Sequence, residues 1–305
     1  MMHAAWRTPR LLILSVCCLC LQLVASPLVH AQTPGETVNA PRQDPPDPAA
    51  QDKLLELMHQ YAAHYVSNLP NFLCLQVTRQ LEAGLKSNRW HKGDTLTSKL
   101  SYNQGREQRS LDSVNGKPVH PGEKRWHGAL TTEGEFGILL SRVLGPDSEA
   151  WFTWSHWETL RGKVLAVFDF TVDKEHSTLS LNLSDLAKAV VPYHGSVYAD
   201  PATGAVWRIT DAASDIPAKL LTREISTTID YDEILIADRK YLLPVQAIVS
   251  LTLETKTLET KKVRNEMEFQ GYRKFEADSA ITFGSAMPAD EGQTAKPGGA
   301  AAPPK

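Results

Sequence analysis

Runs of alternating apolar and polar residues, separated by very short turns, restrict this chain to an antiparallel sheet. Val245, Ala247, Val249, Leu251 and Leu253 fall on one side of a strand, opposite Gln246, Ser250, Thr252 and Glu254. Val263, Met267 and Phe269 repeat the pattern opposite Arg264, Glu266 and Glu268. A period of two places each set on one face of a half-buried strand. The turns are equally specific: Asn115-Gly116, Asp238-Arg239 and Pro201-Ala202-Thr203-Gly204. Asn-Gly tolerates the positive φ angles of a two-residue hairpin turn. Connections this short join antiparallel neighbours, because a parallel crossover needs a dozen residues or more.

The pattern predicts about ten strands. They cover 72–81, 95–103, 106–114, 164–172, 176–183, 195–200, 205–210, 225–237, 240–254 and 263–275, with 280–283 as a further candidate. Val164 to Phe168 are apolar on both faces, so that strand has something packed on each side. Helices are few. Leu54, Leu57, Met58, Tyr61 and Tyr65 form one apolar stripe, predicting a helix over 52–66 ended before Pro70. A second is expected over 133–144, with Thr132 as cap, Glu135 at the capping-box position and Gly145-Pro146 as stop. A third, short helix is expected from Ser184 to Val190.

The ends of the chain are of a different kind. Arg7 and Arg10 precede an apolar run over 11–25, and Val29-His30-Ala31 offers small residues at a cleavage site. This order reads as a secretory signal peptide over 1–31, and the run is shorter than the roughly 20 residues a spanning helix needs. Cys17, Cys18 and Cys20 sit inside the run without the small residue that precedes a lipid-modified cysteine, so no lipid anchor is expected. Cleavage leaves 274 residues of the 305, moves the net charge from −3 to −5, and keeps one cysteine, Cys74. No internal disulfide is then possible, and Cys74, within Phe72-Leu73-Cys74-Leu75, reads as a buried structural thiol. Residues 32–50 and 285–305, rich in Pro, Ala and Gly, read as a disordered linker and tail around one domain over 51–284. The acidic balance argues against nucleic acid as a partner, and no apolar stretch of spanning length follows the leader. The protein is expected to be exported, to the periplasm or beyond.

Chemistry-bearing motifs are scarce. No Walker loop, dinucleotide fingerprint, EF-hand or His-Glu-x-x-His sequence occurs. Gly84-Leu85-Lys86-Ser87 ends like a phosphate loop without the upstream glycine and reads as a turn. His194-Gly195-Ser196 places a hydroxyl beside an imidazole, but closeness along a strand is not read as a catalytic dyad. No histidine pair has zinc-ligand spacing. Asp230 and Asp232 share one strand face and are the best paired carboxylates, suited to acid–base work or to holding a cation; the bland alternative is a solvated strand end. No cofactor and no metal are expected. The most unusual feature is aromatic: Trp151, Phe152, Trp154 and Trp157 lie within seven residues. Such a cluster suits a sugar, a lipid tail or a protein partner, or else forms a satellite core against the second helix.

Two stretches carry a family resemblance. One is the amphipathic helix followed by Leu69-Pro70-Asn71-Phe72 and the strand through Gln76 and Thr78. The other is Gly195-Ser-Val-Tyr-Ala-Asp200-Pro-Ala-Thr-Gly204-Ala-Val-Trp-Arg208-Ile. In this order they resemble the periplasmic outer-membrane lipoprotein carrier superfamily, including its sigma-factor regulatory relatives. The resemblance implies a strongly curved, half-open antiparallel sheet, or partial barrel, plugged by helices, whose hollow side binds acyl chains or lipoproteins. Residues 147–160 and the chain length depart from the compact carriers. Trp157-Glu158-Thr159-Leu160-Arg161-Gly162 and Tyr272-Arg273-Lys274-Phe275 also resemble a group of exported bacterial proteins, which implies no activity.

The fold expected is therefore α+β: a curved antiparallel sheet with the N-terminal amphipathic helix and one or two further helices packed on it. The function expected first is non-catalytic binding of an apolar ligand, a lipid or lipoprotein acyl chain, in a cavity lined by Leu57, Tyr61, Tyr65, Phe168, Phe170, Tyr198 and Trp207. The alternative is a cell-envelope interaction or sensor module that uses Trp151, Trp154 and Trp157 as its anchor. An exported hydrolase built from Asp230, Asp232 or His156 is the remote third.

Overall fold

A computed structural model describes residues 37–39, 43–84, 89–119, 136–184, 187–220, 222–254 and 260–275. The strands are β1 (Thr37–Asn39), β2 (Phe72–Gly84), β3 (His91–Asn103), β4 (Arg106–Val114), β5 (Lys117–Pro118), β6 (Trp151–Leu160) and β7 (Lys163–Val172). They continue as β8 (Ser180–Ser184), β9 (Ala187–Val190), β10 (Tyr193–Ala199), β11 (Val206–Ala213), β12 (Thr222–Ile236), β13 (Arg239–Glu254) and β14 (Thr260–Lys274). Two α-helices, α1 (Pro48–Asn68) and α2 (Ile138–Leu144), complete the described elements with two short 3-10 turns.

Twelve strands form one antiparallel sheet in the order β1-β6-β7-β10-β11-β12-β13-β14-β2-β3-β4-β5. It is curved and does not close into a barrel, since β1 and β5 stand at opposite edges. The expected α+β architecture is the one observed. Strand β4 matches its expected span, and Asn115-Gly116 makes the turn into β5, both residues at positive φ.

Helix α1 is longer than its apolar stripe suggests. Asp47 caps it, accepting from the Ala50 amide at 2.8 Å, and Pro48 occupies the first turn, where its missing N–H costs nothing. Leu69, before Pro70, takes an extended conformation and ends the helix. Leu54, Met58, Ala62 and Tyr65 point to the core, with Leu57 and Tyr61 half-buried on the flank. Residues 37–39 and 48–50, within the stretch expected to be a linker, are strand β1 and the first turn of α1. Helix α2 is observed from Ile138, and the expected cap residues Thr132 and Glu135 lie outside the described residues, as does 280–283.

Two expectations are corrected. The segment 184–190 is not a helix: Ser180–Ser184 and Ala187–Val190 pair as a separate antiparallel hairpin. A stretch this short has little helix stability of its own, so tertiary packing decides its form, and the hairpin lets Leu181 pack with Val191 and Leu220. Residues 174–176 form a turn, so the expected strand at 176 begins only at Ser180. The aromatic run, in turn, is itself a strand, β6, paired along its length with β7.

The core lies between the helices and one face of the sheet, here the inner face. Met58, Leu140, Val143, Phe72, Leu100, Tyr193, Ile209, Tyr231 and Leu243 are buried in it. Two tyrosines tie the helices to the sheet: Tyr65 Oη donates to the Leu242 carbonyl (3.0 Å) and Tyr193 Oη to the Arg142 carbonyl (2.8 Å). The loop 200–204 seats α1. Asp200 Oδ1 accepts from the Ala202 and Thr203 amides. Gly204, at φ +71°, then brings the loop against the α1 backbone, where a Cβ would stand 2.4 Å from the Leu57 carbonyl carbon. Only glycine meets both demands.

Candidate functional site

The seven residues expected to line one cavity are divided by the sheet. Tyr61, Tyr65, Phe168 and Phe170 belong to the inner-face core, while Leu57 is half-buried on the flank of α1 where the Gly204 loop meets it. Tyr198 and Trp207 lie on the outer face, in a small cluster with Leu160, Leu165 and Leu242. The strand-level reason is period two: Val197 and Ala199 take the inner face of β10, which turns Tyr198 outward. Val206 and Ile209 likewise take the inner face of β11, and the register shift opposite Tyr198/Ala199 leaves Trp207 outward. Lys163 Nζ sits 4.3 Å over the Trp207 ring.

The inner four are packed against one another as core. Phe168 and Phe170 are 1% and 2% exposed. The Tyr65 ring lies edge-on to Tyr231 at 6.0 Å, and burial raises the Tyr61 and Tyr65 phenols well above their ordinary range. Two clefts of about 390 Å3 lie elsewhere. One is at the β12–β13 turn beside Pro70, Tyr241 and Phe275; the other is at the β3–β4 turn beside Asn103 and Arg106.

Strand β6 separates its tryptophans. Trp154 pairs with Phe168 and Trp157 with Ala166, although three residues apart they would ordinarily face opposite ways. A bulge at Ser155 supplies the extra residue that returns both to the inner face. There the two indoles meet edge-on at 5.0 Å, Trp154 reaches Phe168 at 5.4 Å, and Trp157 Nε1 donates to the Asp44 carbonyl at 3.0 Å. Trp151 is different. It pairs with exposed Thr171, faces outward and is 75% exposed. The satellite-core and exposed-anchor readings thus each apply to part of the run.

On the same outer face the titratable candidates are committed to partners. Arg208 grips both oxygens of Asp230, which is 4% exposed, and Arg161 lies 4.0 Å from Asp230 and 3.5 Å from Asp232. Two guanidiniums therefore neutralise the acidic pair. His156 is held by both neighbours on its strand: Nδ1 bonds Ser155 Oγ (3.0 Å), and Nε2 bonds the buried Glu158 carboxylate (3.2 Å). Such pairing compensates a carboxylate withdrawn from water. Cys74 is buried as expected, and desolvation pushes its thiol up to about 12. Among the described residues no cluster of three or more metal-ligating side chains occurs.

The outer face also assembles Asp169 and Thr171, which sequence reasoning passed over, with His194 and Ser196, which it set aside as a dyad and which share one face of β10 because they are two residues apart. Asp169 and Thr171 on β7 and His194 and Ser196 on β10 are cross-strand neighbours of Thr153 and Trp151 on β6. Ser196 Oγ donates to Asp169 Oδ1 at 2.6 Å, and His194 Nδ1 bonds Ser214 Oγ at 2.7 Å. Their signal was the polar half of each strand's alternation, which has meaning only once the register is known.

No family model and no curated protein sequence matches the chain. Among solved structures it is similar to a DUF1329 family protein from Desulfovibrio piger, at 10% identity and a TM-score of 0.36, covering 78% of this chain and 96% of that one. It is also similar to the MucA/MucB complex structure of Pseudomonas aeruginosa, at 10% identity and a TM-score of 0.21, covering 72% and 94%. A structure of MucB in complex with MucA gives a TM-score of 0.20.

Proposed function

We propose that the protein is an exported, non-catalytic binding module that engages a component of the cell envelope through the outer face of β6. One observation carries this reading: Trp151 is 75% exposed on a well-paired strand whose other two tryptophans are packed inward. An indole left in water forfeits a large hydrophobic gain, so an isolated exposed one on a rigid strand suits a contact residue. The commitment of Asp230, Asp232 and His156 to Arg208, Arg161 and Glu158 supports binding over hydrolysis. Export rests on the leader-like order of residues 1–31. No helix among the described residues is long and apolar enough to cross a membrane.

The test is retention on isolated envelope fractions by residues 32–305, as wild type and Trp151→Ala. The variant is expected to unfold like the wild type and to lose retention. Equal retention would refute the reading.

Binding of a lipid or lipoprotein acyl chain is the second reading. It is favoured by the half-buried rim of Leu55, Tyr61, Phe152, Trp154 and Trp157 against the core. It requires α1 to lift from the sheet, because the inner face beneath it is filled. Native mass spectrometry before and after organic extraction tests it; a co-purified lipid at near-equal stoichiometry is the supporting result, and an unshifted mass the refuting one.

A further inference from the structure

We infer that the outer face around Trp151 is a carbohydrate platform, and that the envelope component bound there is a glycan; this rests on the reading of Trp151 as the contact residue. Three features of the surface carry the inference.

The first is composition. Trp151 is the one large apolar side chain in the two outward files it shares with Thr153, Thr171, Asp169, His194 and Ser196. A protein hot spot is ringed by further apolar groups that exclude water. This ring instead supplies hydroxyls, a carboxylate and an imidazole around a single indole. Sugars are recognised by that combination, their C–H faces stacking on an aromatic ring while their hydroxyls bond polar groups at its rim.

The second is geometry. Thr153, Asp169 and Ser196 face one another across β6, β7 and β10, and Trp151, Thr171 and His194 form the adjoining file. Neighbouring strands lie about 4.8 Å apart, close to the length of one pyranose residue. A chain of sugars laid across the strands therefore meets a polar side chain at each unit, with the indole at the sheet edge. Bonds among these groups hold them in place. Ser196 holds Asp169 through Oδ1, and Ser214 holds the exposed His194 through Nδ1. The carboxylate and the imidazole are thus held in place before any ligand arrives, which lowers the ordering cost of binding.

The third is charge. The six residues include one carboxylate and no lysine or arginine. An anionic lipid surface or a strongly acidic polysaccharide would be repelled, so the class fitted is a neutral or amino-sugar glycan.

The test uses the mature chain with cellohexaose, xylohexaose, mannohexaose and a β-1,4-linked N-acetylglucosamine hexamer, by isothermal titration and by affinity electrophoresis on the corresponding polymers. At least one is expected to bind. Trp151→Ala should weaken that binding about tenfold or more, and Asp169→Asn about threefold to tenfold, as expected for loss of one stacking contact and one charged acceptor. Leu235→Ser, at an exposed apolar residue near the β12–β13 turn, should bind as the wild type does. Binding of none of the four, or unchanged binding by Trp151→Ala, overturns the inference. If Trp151→Ala loses envelope retention while no glycan binds, the glycan inference falls and the binding module stands. If Trp151→Ala retains the envelope as well as the wild type, both fall.

Discussion

Replacing Gly204 with alanine should be one of the most damaging single-methyl changes in the protein, and its cost divides into two separately measurable parts. Gly204 has φ +71°, so any L side chain there carries backbone strain of about 1 kcal/mol. The added Cβ would also stand 2.4 Å from the Leu57 carbonyl carbon, 2.5 Å from its oxygen and 2.6 Å from the Met58 nitrogen. Carbon atoms in contact sit about 3.5–4.0 Å apart, so loop and helix must separate by about 1 Å. The obstacle is backbone and cannot rotate away. Met58 is fully buried beside it, so retreat of α1 opens gaps in the core. Overpacking of this kind costs about 1–3 kcal/mol, for a total of about 2–4 kcal/mol. Gly116 is the control: its φ is +74°, but nothing lies within 4 Å of its added Cβ. Gly116→Ala should therefore cost only the strain, about 1 kcal/mol. Urea unfolding of both variants, with the slope checked for constancy, measures the difference. The thermal midpoint should fall about 2–4 °C per kcal/mol for a domain of this size. A Gly204→Ala cost within about 0.5 kcal/mol of the Gly116→Ala cost would show that α1 is not seated on this loop, given the usual scatter for neutral surface sites.

Three further outcomes are expected. Cys74, with its thiol held at about 12, should resist a thiol reagent at pH 8 in the folded protein and react at once in urea; fast reaction without denaturant would contradict its burial. Asp211 lies buried against the inner face with Arg142 at 3.7 Å and His194 also near, and desolvation raises its carboxyl above the ordinary 3.8. The folded state then holds that proton to higher pH than the unfolded state does, so stability should fall as pH rises from 3.8 through the raised value. Asp211→Asn should remove that component, and a wild-type-minus-variant difference that stays constant between pH 4 and 7 would refute it. Deleting Ser155 removes the bulge and forces Trp154 and Trp157 to opposite faces of β6. The variant should lose about 3 kcal/mol or more, as when a large core aromatic is removed, and a wild-type urea midpoint would argue against the bulge.

Much of the fold was legible because its signals are local. The alternation in 240–254, the Asn115-Gly116 turn and the stripe on α1 each depend on residues a few positions apart, and each is observed. Apolarity on both faces of 164–168 correctly announced two packed sides, since Phe168 meets the main core and Leu165 the outer cluster. The misread segment 184–190 was the weakest of these signals, too short for a period of 3.6 to be told from one of two. The site was less legible. Counting from Trp151 to Trp157 cannot reveal a bulge at Ser155, because a bulge is a property of the strand opposite. Nor can composition show that Arg208 and Arg161 converge on Asp230 across register and a turn.

The sequence by itself determined that this chain forms antiparallel strands with one amphipathic N-terminal helix, because propensity, period and turn chemistry act within a few residues. Only the tertiary structure decided which side chains share a face. Register assigned Tyr198 and Trp207 to the outside, and one extra residue in β6 assigned Trp154 and Trp157 to the inside and left Trp151 in water. The physical reason is that a strand has two faces and a period of two, so a one-residue change in pairing reverses every side chain beyond it.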